Sequence, residues 1–261
     1  MTEQQVIVLL LILVRVSTFI ALFPLFYRRQ LPNMIKVGLA GGLSVFWFDQ
    51  IDTSLNGLDV ELIGFVDSSL LLAREFLIGA VLSLAMGVFF LPAKVAGAYV
   101  GQEIGLSLAA INDPSSPDSS TLVTRVFEAF TILIFLALNL HHFLILVVQA
   151  SFDQIAGKIN LLDLPTEQLS RIFTQVMDHG LAVIAPIGIL MMLITLGLAL
   201  LNKAAPTLNL FTVGMPVRTG FGLFCVLALL PIIFGALKNF LYRTQGDIEQ
   251  LLAIFRFGLL I

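Results

Sequence analysis

Residues 179–202 read HGLAVIAPIGILMMLITLGLALLN, without one Asp, Glu, Lys or Arg. A helix needs roughly 20 such residues to cross about 30 Å of hydrocarbon, so this stretch is long enough to span a bilayer. Uncharged windows of similar kind lie at 76–93, 129–152 and 219–237. Four long apolar helices follow. Two shorter candidates join them: Gln4 to Tyr27 is apolar apart from Arg15, and Val37 to Phe48 is a brief uncharged run. The expected fold class is an all-α membrane-class protein with about six apolar, partly kinked helices.

Composition gives the same setting. Of 261 residues, 58% are hydrophobic and 12% charged, with a mean hydropathy of +1.01. Soluble domains carry roughly a quarter charged residues. The formal net charge of −3 is too small to imply a charged partner, and the 14 Lys and Arg are spread too thinly for a nucleic-acid surface. Cys225 stands alone in an apolar run, which excludes a disulfide framework and favours a buried, inert thiol. The start, MTEQQVIVLLLILVRVSTFIALF, lacks the basic opening and small-residue cleavage site of a secretory signal and is expected to remain as the first helix.

Charge placement suggests a topology. YRRQLPNMIK (27–36) carries Arg28, Arg29 and Lys36 with no acid and belongs inside by the positive-inside rule. The following segment carries Asp49, Asp52, Asp59, Glu61 and Asp67 with no base and would face outward. Six simple spans would then leave Lys238, Arg243 and Arg256 on the outer side, so some apolar segments are not simple spans. Arg15, the neighbours Arg74 and Glu75, and Arg125 with Glu128 lie inside or at the edge of apolar helices. A charge facing lipid costs several kcal/mol, so these groups should face protein or water. Arg125 and Glu128 are spaced to pair along one helix face. A structural ion pair is favoured over an ion or proton path.

Proline and glycine punctuate the apolar runs. Pro24, Pro92, Pro186, Pro206, Pro216 and Pro231 fall in or beside them, where each removes a backbone donor and favours a kink or break. GAYVG (97–101) and QEIG (102–105) place glycines four apart, a face for close helix packing. No period of 20 to 50 residues repeats, which argues against a solenoid.

Candidate chemistry is sparse. His141 and His142 are adjacent, so on a helix they point about 100° apart and cannot ligate one metal from one face. HExxH is absent, and His179 beside Asp178 has no further partner in a ligand pattern. Ser107 in GLSLA departs from GxSxG at Ala109 and has no preceding strand. Neither a phosphate-binding loop nor a dinucleotide fingerprint occurs. No cofactor, metal or catalytic set is expected, and the chain reads as a non-enzyme.

Three stretches stand apart from the apolar background. GLSLAAINDPSSPDSS (105–120) stops two helices in a loop of small, polar and proline residues, either as an ordinary connector or as something more specific. NLHHFLILVVQASFDQI (139–155), which opens on NLHHF, is a helix running out toward a polar turn. In LLNKAAPTLNLFTVGMPVRTGFGL (200–223) a Lys-Ala-Ala-Pro turn joins two apolar helices as a tight hairpin, the second starting near Asn209, a suitable N-cap.

Together these stretches resemble the FliR family of the bacterial flagellar type III export gate, whose injectisome counterpart is SctT. The likeness runs in order from about Arg15 to Leu237 and includes the RRxLP turn at 28–32. Family members often carry Asn-Gly before the His pair, where this chain has Asn139-Leu140.

The resemblance implies one FliR-like unit over 1–261, arranged as helical hairpins within a hetero-oligomeric gate. Its part up to about residue 180 would be FliP-like, and 181–261 would be a FliQ-like hairpin with a C-terminal tail. It implies FliP-like and FliQ-like gate subunits as partners, with FlhB-like and FlhA-like export proteins, basal-body rod and ring proteins, unfolded export substrates and membrane lipid. It implies the bacterial inner membrane and the flagellar basal body, with helices raised out of the bilayer plane. The 105–120 loop would plug the export channel, sealing with Leu106, Leu108 and Ile111, while Asn112, Asp113, Pro114 and Pro117 keep it from forming a helix. Lys203, Pro206, Asn209, Phe211, Gly214 and Pro216 would form the hairpin turn. An injectisome gate subunit is the alternative. A secondary transporter should show two halves with matched interruptions, and none are found. An intramembrane enzyme would need converging catalytic groups.

Overall fold

The computed structural model describes residues 3–27, 32–51, 65–106, 121–153, 166–204 and 210–257. Among the described residues every regular element is helical. The helices are α1 (Glu3–Leu22), α2 (Asn33–Ile51), α3 (Phe65–Gly87), α4 (Leu91–Glu103), α5 (Leu122–Ala137), α6 (Leu140–Asp153), α7 (Thr166–Ala204) and α8 (Leu210–Phe257). A single helical turn, Pro24–Tyr27, follows α1, and a 3-10 turn, Val88–Phe90, joins α3 to α4. The all-α class expected from composition is the class observed.

Among the described residues, four stretches are long and apolar enough to cross a membrane: Gln5–Leu22, Ser68–Glu103, Met177–Ala204 and Gly214–Glu249. A fifth exists only if Leu122–Ala137 and Leu140–Phe152 act as one broken span. Among the described residues, the membrane-capable stretches thus number four or five of the eight helices. Val37 to Phe48 lies in α2, but at 1.5 Å per residue this run covers only about 18 Å, well short of the hydrocarbon thickness. The 129–152 run is interrupted at Asn139, whose φ of 56° is left-handed. Asn enters that region more readily than other non-glycine residues, so the turn forms without the Asn-Gly pair.

By internal packing the chain forms two compact units, Met1–Val88 with Asn139–Pro165, and Phe89–Leu138 with Thr166–Ile261. The chain crosses between them three times, at the 3-10 turn, at Asn139, where helical geometry is broken anyway, and just before Thr166, the first residue of α7. This partition by contacts is distinct from the expected division near residue 180, which concerns likeness to other subunits.

In the first unit α1 packs against α2 and α3. Its buried stripe, Val8, Leu11, Ile12, Val16, Phe19 and Phe23, follows the three-and-four spacing of one helix face. A Cβ on Gly79 of α3 would come 2.5 Å from the Arg15 carbonyl oxygen, so the two helices touch backbone to backbone there. In the second unit α4 packs against α5 and α7, and α7 against α8. A Cβ on Gly97 would lie 2.5 Å from Thr124 Cα, and one on Gly101 would overlap the Thr121 side chain. The glycine spacing at 97–101 is thus the seam between α4 and α5. In lipid such seams hold through van der Waals contact, because hydrocarbon offers no hydrophobic drive between helices.

The prolines divide into two groups. Pro24 and Pro92 stand at helix starts, where the missing N–H costs nothing. Pro186 lies inside the 39-residue α7, and Pro216 and Pro231 inside the 48-residue α8, neither of which they end. Cys225 is buried on α8 as a free thiol.

Candidate functional site flanking segment 107–120

The end of α4 is built to stop. Ile104 is its C-cap, and Gly105 follows with φ of 89°. The Gly105 N–H donates to the Gln102 carbonyl at 3.0 Å and the Leu106 N–H to the Gly101 carbonyl at 3.0 Å. These two bonds make a Schellman cap, which needs a left-handed residue at the Gly105 position. The helix therefore ends before the Asp-Pro pair, at a glycine rather than at a proline.

The next helix begins as firmly. Thr121 is extended at φ −67°, ψ 159° and caps α5, its hydroxyl oxygen accepting from the Thr124 N–H at 3.3 Å. The Thr121 and Thr124 hydroxyls are 2.9 Å apart and both residues are buried.

One face of α8 covers the α4 terminus. Arg218 Nη2 donates to Glu103 Oε2 at 2.8 Å, and the Thr219 hydroxyl donates to the Ile104 carbonyl at 2.9 Å. That carbonyl is one of those left unpaired where a helix stops. A Cβ on Gly222 would come 2.5 Å from Ile104 Cγ1, and one on Gly105 would meet Met215 Cε at 3.9 Å. Met215, Arg218, Thr219 and Gly222 recur at the three-and-four spacing of a single helical stripe.

Of the residues expected in the loop, Leu106 is half-buried and makes the cap bond just described. Leu108, Ile111, Asn112, Asp113, Pro114 and Pro117 lie outside the described residues. At the hairpin, Lys203 is exposed near the end of α7 and α8 begins at Leu210, directly after Asn209; Pro206 and Asn209 themselves lie outside the described residues. Gly214 is buried, Pro216 is exposed, and Phe211 falls in the first turn of α8.

The charges expected to pair are distributed unevenly. Glu75 is buried and receives Arg15 Nε at 2.7 Å. Arg15 Nη1 reaches the Ser151 carbonyl at 2.6 Å, and the guanidinium carbon sits 4.7 Å from the Phe152 ring centre. Arg74 and Glu128 are half-buried and Arg125 is exposed. Glu103, Arg218, Thr219, Thr121 and Ser151 were not singled out from sequence. Glu103 and Arg218 are 115 residues apart, and no local spacing connects them.

Among the described residues, no group of three or more His, Cys, Asp or Glu could hold a metal. The His141 and His142 rings are 4.2 Å apart, centre to centre. An apolar pocket is lined by Phe127, Phe130, Leu230, Ile233, Phe234 and Leu237, none of which can act as acid, base or nucleophile.

Long apolar helices, glycine seams and a capped helix break define a membrane-class protein whose site is a structural junction. The chain belongs to the bacterial export proteins, family 1, the FliR family, whose profile matches residues 6–244. It is 30% identical over 222 residues to the flagellar biosynthetic protein FliR of Escherichia coli (strain K12), covering 85% of this chain and 83% of that one. It is 26% identical over 250 residues to the FliR of Bacillus subtilis (strain 168), covering 94% of each. The FliR of Aquifex aeolicus (strain VF5) is 28% identical over 239 residues, 91% of each chain.

Proposed function

We propose that this chain is a structural and gating subunit of the flagellar type III export gate, non-enzymatic, through which unfolded flagellar proteins leave the cytoplasm. Family membership makes it a component of the flagellar export apparatus. The finer reading is supported above all by one observation. The apolar stretches Ser68–Glu103 and Gly214–Glu249 are each 36 residues long. Gly214–Glu249, which lies within the single helix α8, reaches about 54 Å as helix, nearly twice the hydrocarbon thickness. Lipid cannot cover that length.

Nor does the chain cover it. Only 28% of the Gly214–Glu249 window and 17% of the Met177–Ala204 window are buried, against 44% for Gln5–Leu22. An apolar surface of this extent calls for other protein. FliP-like and FliQ-like subunits are the proposed cover, with residues to about 180 taking the FliP-like part and 181–261 the FliQ-like hairpin. FlhB-like and FlhA-like proteins and basal-body rod and ring proteins are further partners. The proposed location is the bacterial inner membrane, within the flagellar basal body.

Segment 107–120, held between the Schellman cap and Thr121, is the proposed channel plug. The flagellar gate is favoured over the injectisome gate because the curated relatives carry the flagellar name. Purification in mild detergent tests the assembly: several copies of FliP-like and FliQ-like partners should accompany the chain. A stable lone monomer or homodimer would count against the gate. Deleting 106–118 tests the plug: assembly should persist while the membrane leaks ions, and a tight membrane around an assembled complex would refute it.

A further inference from the structure

We infer that Lys238 and Tyr242 of α8, together with the apolar notch between α5 and α8, bind one anionic phospholipid, its phosphate at Lys238 and an acyl chain in the notch. The site goes beyond the gate reading and needs only the helices of the second compact unit, which holds every residue concerned. Phe224, Leu227, Phe234, Lys238, Tyr242 and Gln245 recur at multiples of three and four residues, so they lie along one side of α8. Phe224, Leu227 and Phe234 are apolar and 64%, 68% and 43% exposed. Lys238 and Tyr242 follow, both exposed, and then Gln245 Nε2 donates to Glu249 Oε1 at 2.8 Å. Exposed apolar side chains, then a cation with a tyrosine, then a polar pair reproduce the order of hydrocarbon, headgroup layer and water.

The notch lies directly beneath that cation. Its floor is Phe127, Ile233 and Leu237, all buried, while Phe130 and Leu230 are half-buried and Phe234 is exposed, so it opens outward. Its α8 residues precede Lys238 by one to eight positions, which at 1.5 Å per residue is about 1.5–12 Å. One leaflet is roughly 15 Å deep, so an acyl chain descending from a phosphate at Lys238 passes along the whole notch. Arg125 and Glu128 stand about 100° or more around α5 from Phe127 and Phe130, so neither charge enters it.

Lys238 is left with a charge to satisfy. Its Nζ lies 5.9 Å from the Tyr242 ring centre, a contact that holds the ammonium without neutralising it. Among the described residues it pairs with no carboxylate. An anionic headgroup supplies the counter-charge, and the Tyr242 hydroxyl can donate to a phosphate oxygen.

The test counts lipid retained by the detergent-purified protein, with the partners that accompany it, after addition of phosphatidylglycerol or phosphatidylcholine, using native mass spectrometry. Wild type should retain one phosphatidylglycerol, several-fold above phosphatidylcholine. Lys238→Gln should lower that retention several-fold and Lys238→Arg should keep it, while Leu230→Trp, which fills the notch, should lower retention of both lipids. Arg243→Gln removes the same charge about 140° around the helix from Lys238 and should change nothing. Equal losses in Lys238→Gln and Arg243→Gln would mean general attraction to an anionic surface and would overturn the site. So would wild-type retention in Lys238→Gln, which alters an exposed side chain and leaves the fold intact. Lipid bound to the lone chain but absent from the complex would also overturn it, assigning the notch to a partner's helix.

Discussion

Arg15 Nε donates to Glu75 Oε2 at 2.7 Å, and Arg15 Nη2 stands 2.6 Å from the same oxygen, within the apolar stretch Gln5–Leu22. The pair joins α1 to α3, and Ser151 brings in α6 by accepting from Arg15 Nη1 at its carbonyl and hydroxyl oxygens. Three helices of one unit thus meet at a single guanidinium. Gly79, one turn beyond Glu75 on α3, allows the backbones close enough for the bond to form.

Breaking this pair should cost far more than removing it. Glu75→Leu leaves a buried guanidinium without its counter-ion and should destabilise the protein by about 3–5 kcal/mol, whereas Arg15→Met with Glu75→Leu should recover most of the loss. Thermal unfolding of the detergent-purified protein measures both. Equal losses in the single and double variants would mean that the pair contributes packing rather than charge balance.

The seam between α4 and α5 should tolerate no added carbon. Gly97→Ala and Gly101→Ala drive a methyl group into Thr124 or Thr121 and should cost about 1–3 kcal/mol each through overpacking. Gly197→Ala is the control, since a Cβ there meets nothing within 4 Å and Ala is the better helix former. Midpoint shifts in thermal unfolding should be clearly downward for the first two and flat or upward for the third.

At Gly105 backbone and not space is limiting. Its nearest potential neighbour is Met215 Cε at 3.9 Å, an ordinary contact, but φ is 89°. Gly105→Ala should therefore cost about 1–2 kcal/mol of left-handed strain, and Gly105→Asn less. The ordering Gly above Asn above Ala in thermal midpoint checks it, and an Ala variant equal to Gly would show that the cap relaxes to another conformation.

Much of this architecture is legible in the chain because lipid imposes a long, uninterrupted requirement. The uncharged windows at 76–93, 179–202 and 219–237 each fall inside a stretch long enough to cross a membrane, and the glycines at 97 and 101 mark the seam between α4 and α5 through spacing alone. Hydropathy averages miss what one residue does. The 129–152 window looks continuous because Asn139, His141 and His142 are uncharged, yet one left-handed dihedral divides it. Tertiary pairing is likewise absent from local pattern. Arg15 and Glu75 are 60 residues apart, and Glu103 and Arg218 are 115 apart. An acid and a base at such separations meet only because helices between them fold back, which no i, i+3 or i, i+4 rule reports. Ile104, whose carbonyl receives Thr219, reads in sequence as one more apolar residue.

The break at Asn139 carries its own prediction. Its φ of 56° separates α5 from α6, and the His142 N–H returns to the Asn139 carbonyl at 3.0 Å, while the Leu138 N–H closes the preceding helix on Ile134. Glycine reaches this conformation without strain, so Asn139→Gly should be neutral or slightly stabilising. A β-branched residue is least suited to it, and Asn139→Val should cost at least about 1–2 kcal/mol or force α5 and α6 into one continuous helix. Thermal unfolding separates the first two cases. A continuous helix would instead appear as a gain in helical circular dichroism together with loss of partner co-purification, because the chain crosses between its two compact units at this residue. Unchanged stability, helicity and assembly in the Val variant would show that the break is imposed by the surrounding packing and not by Asn139.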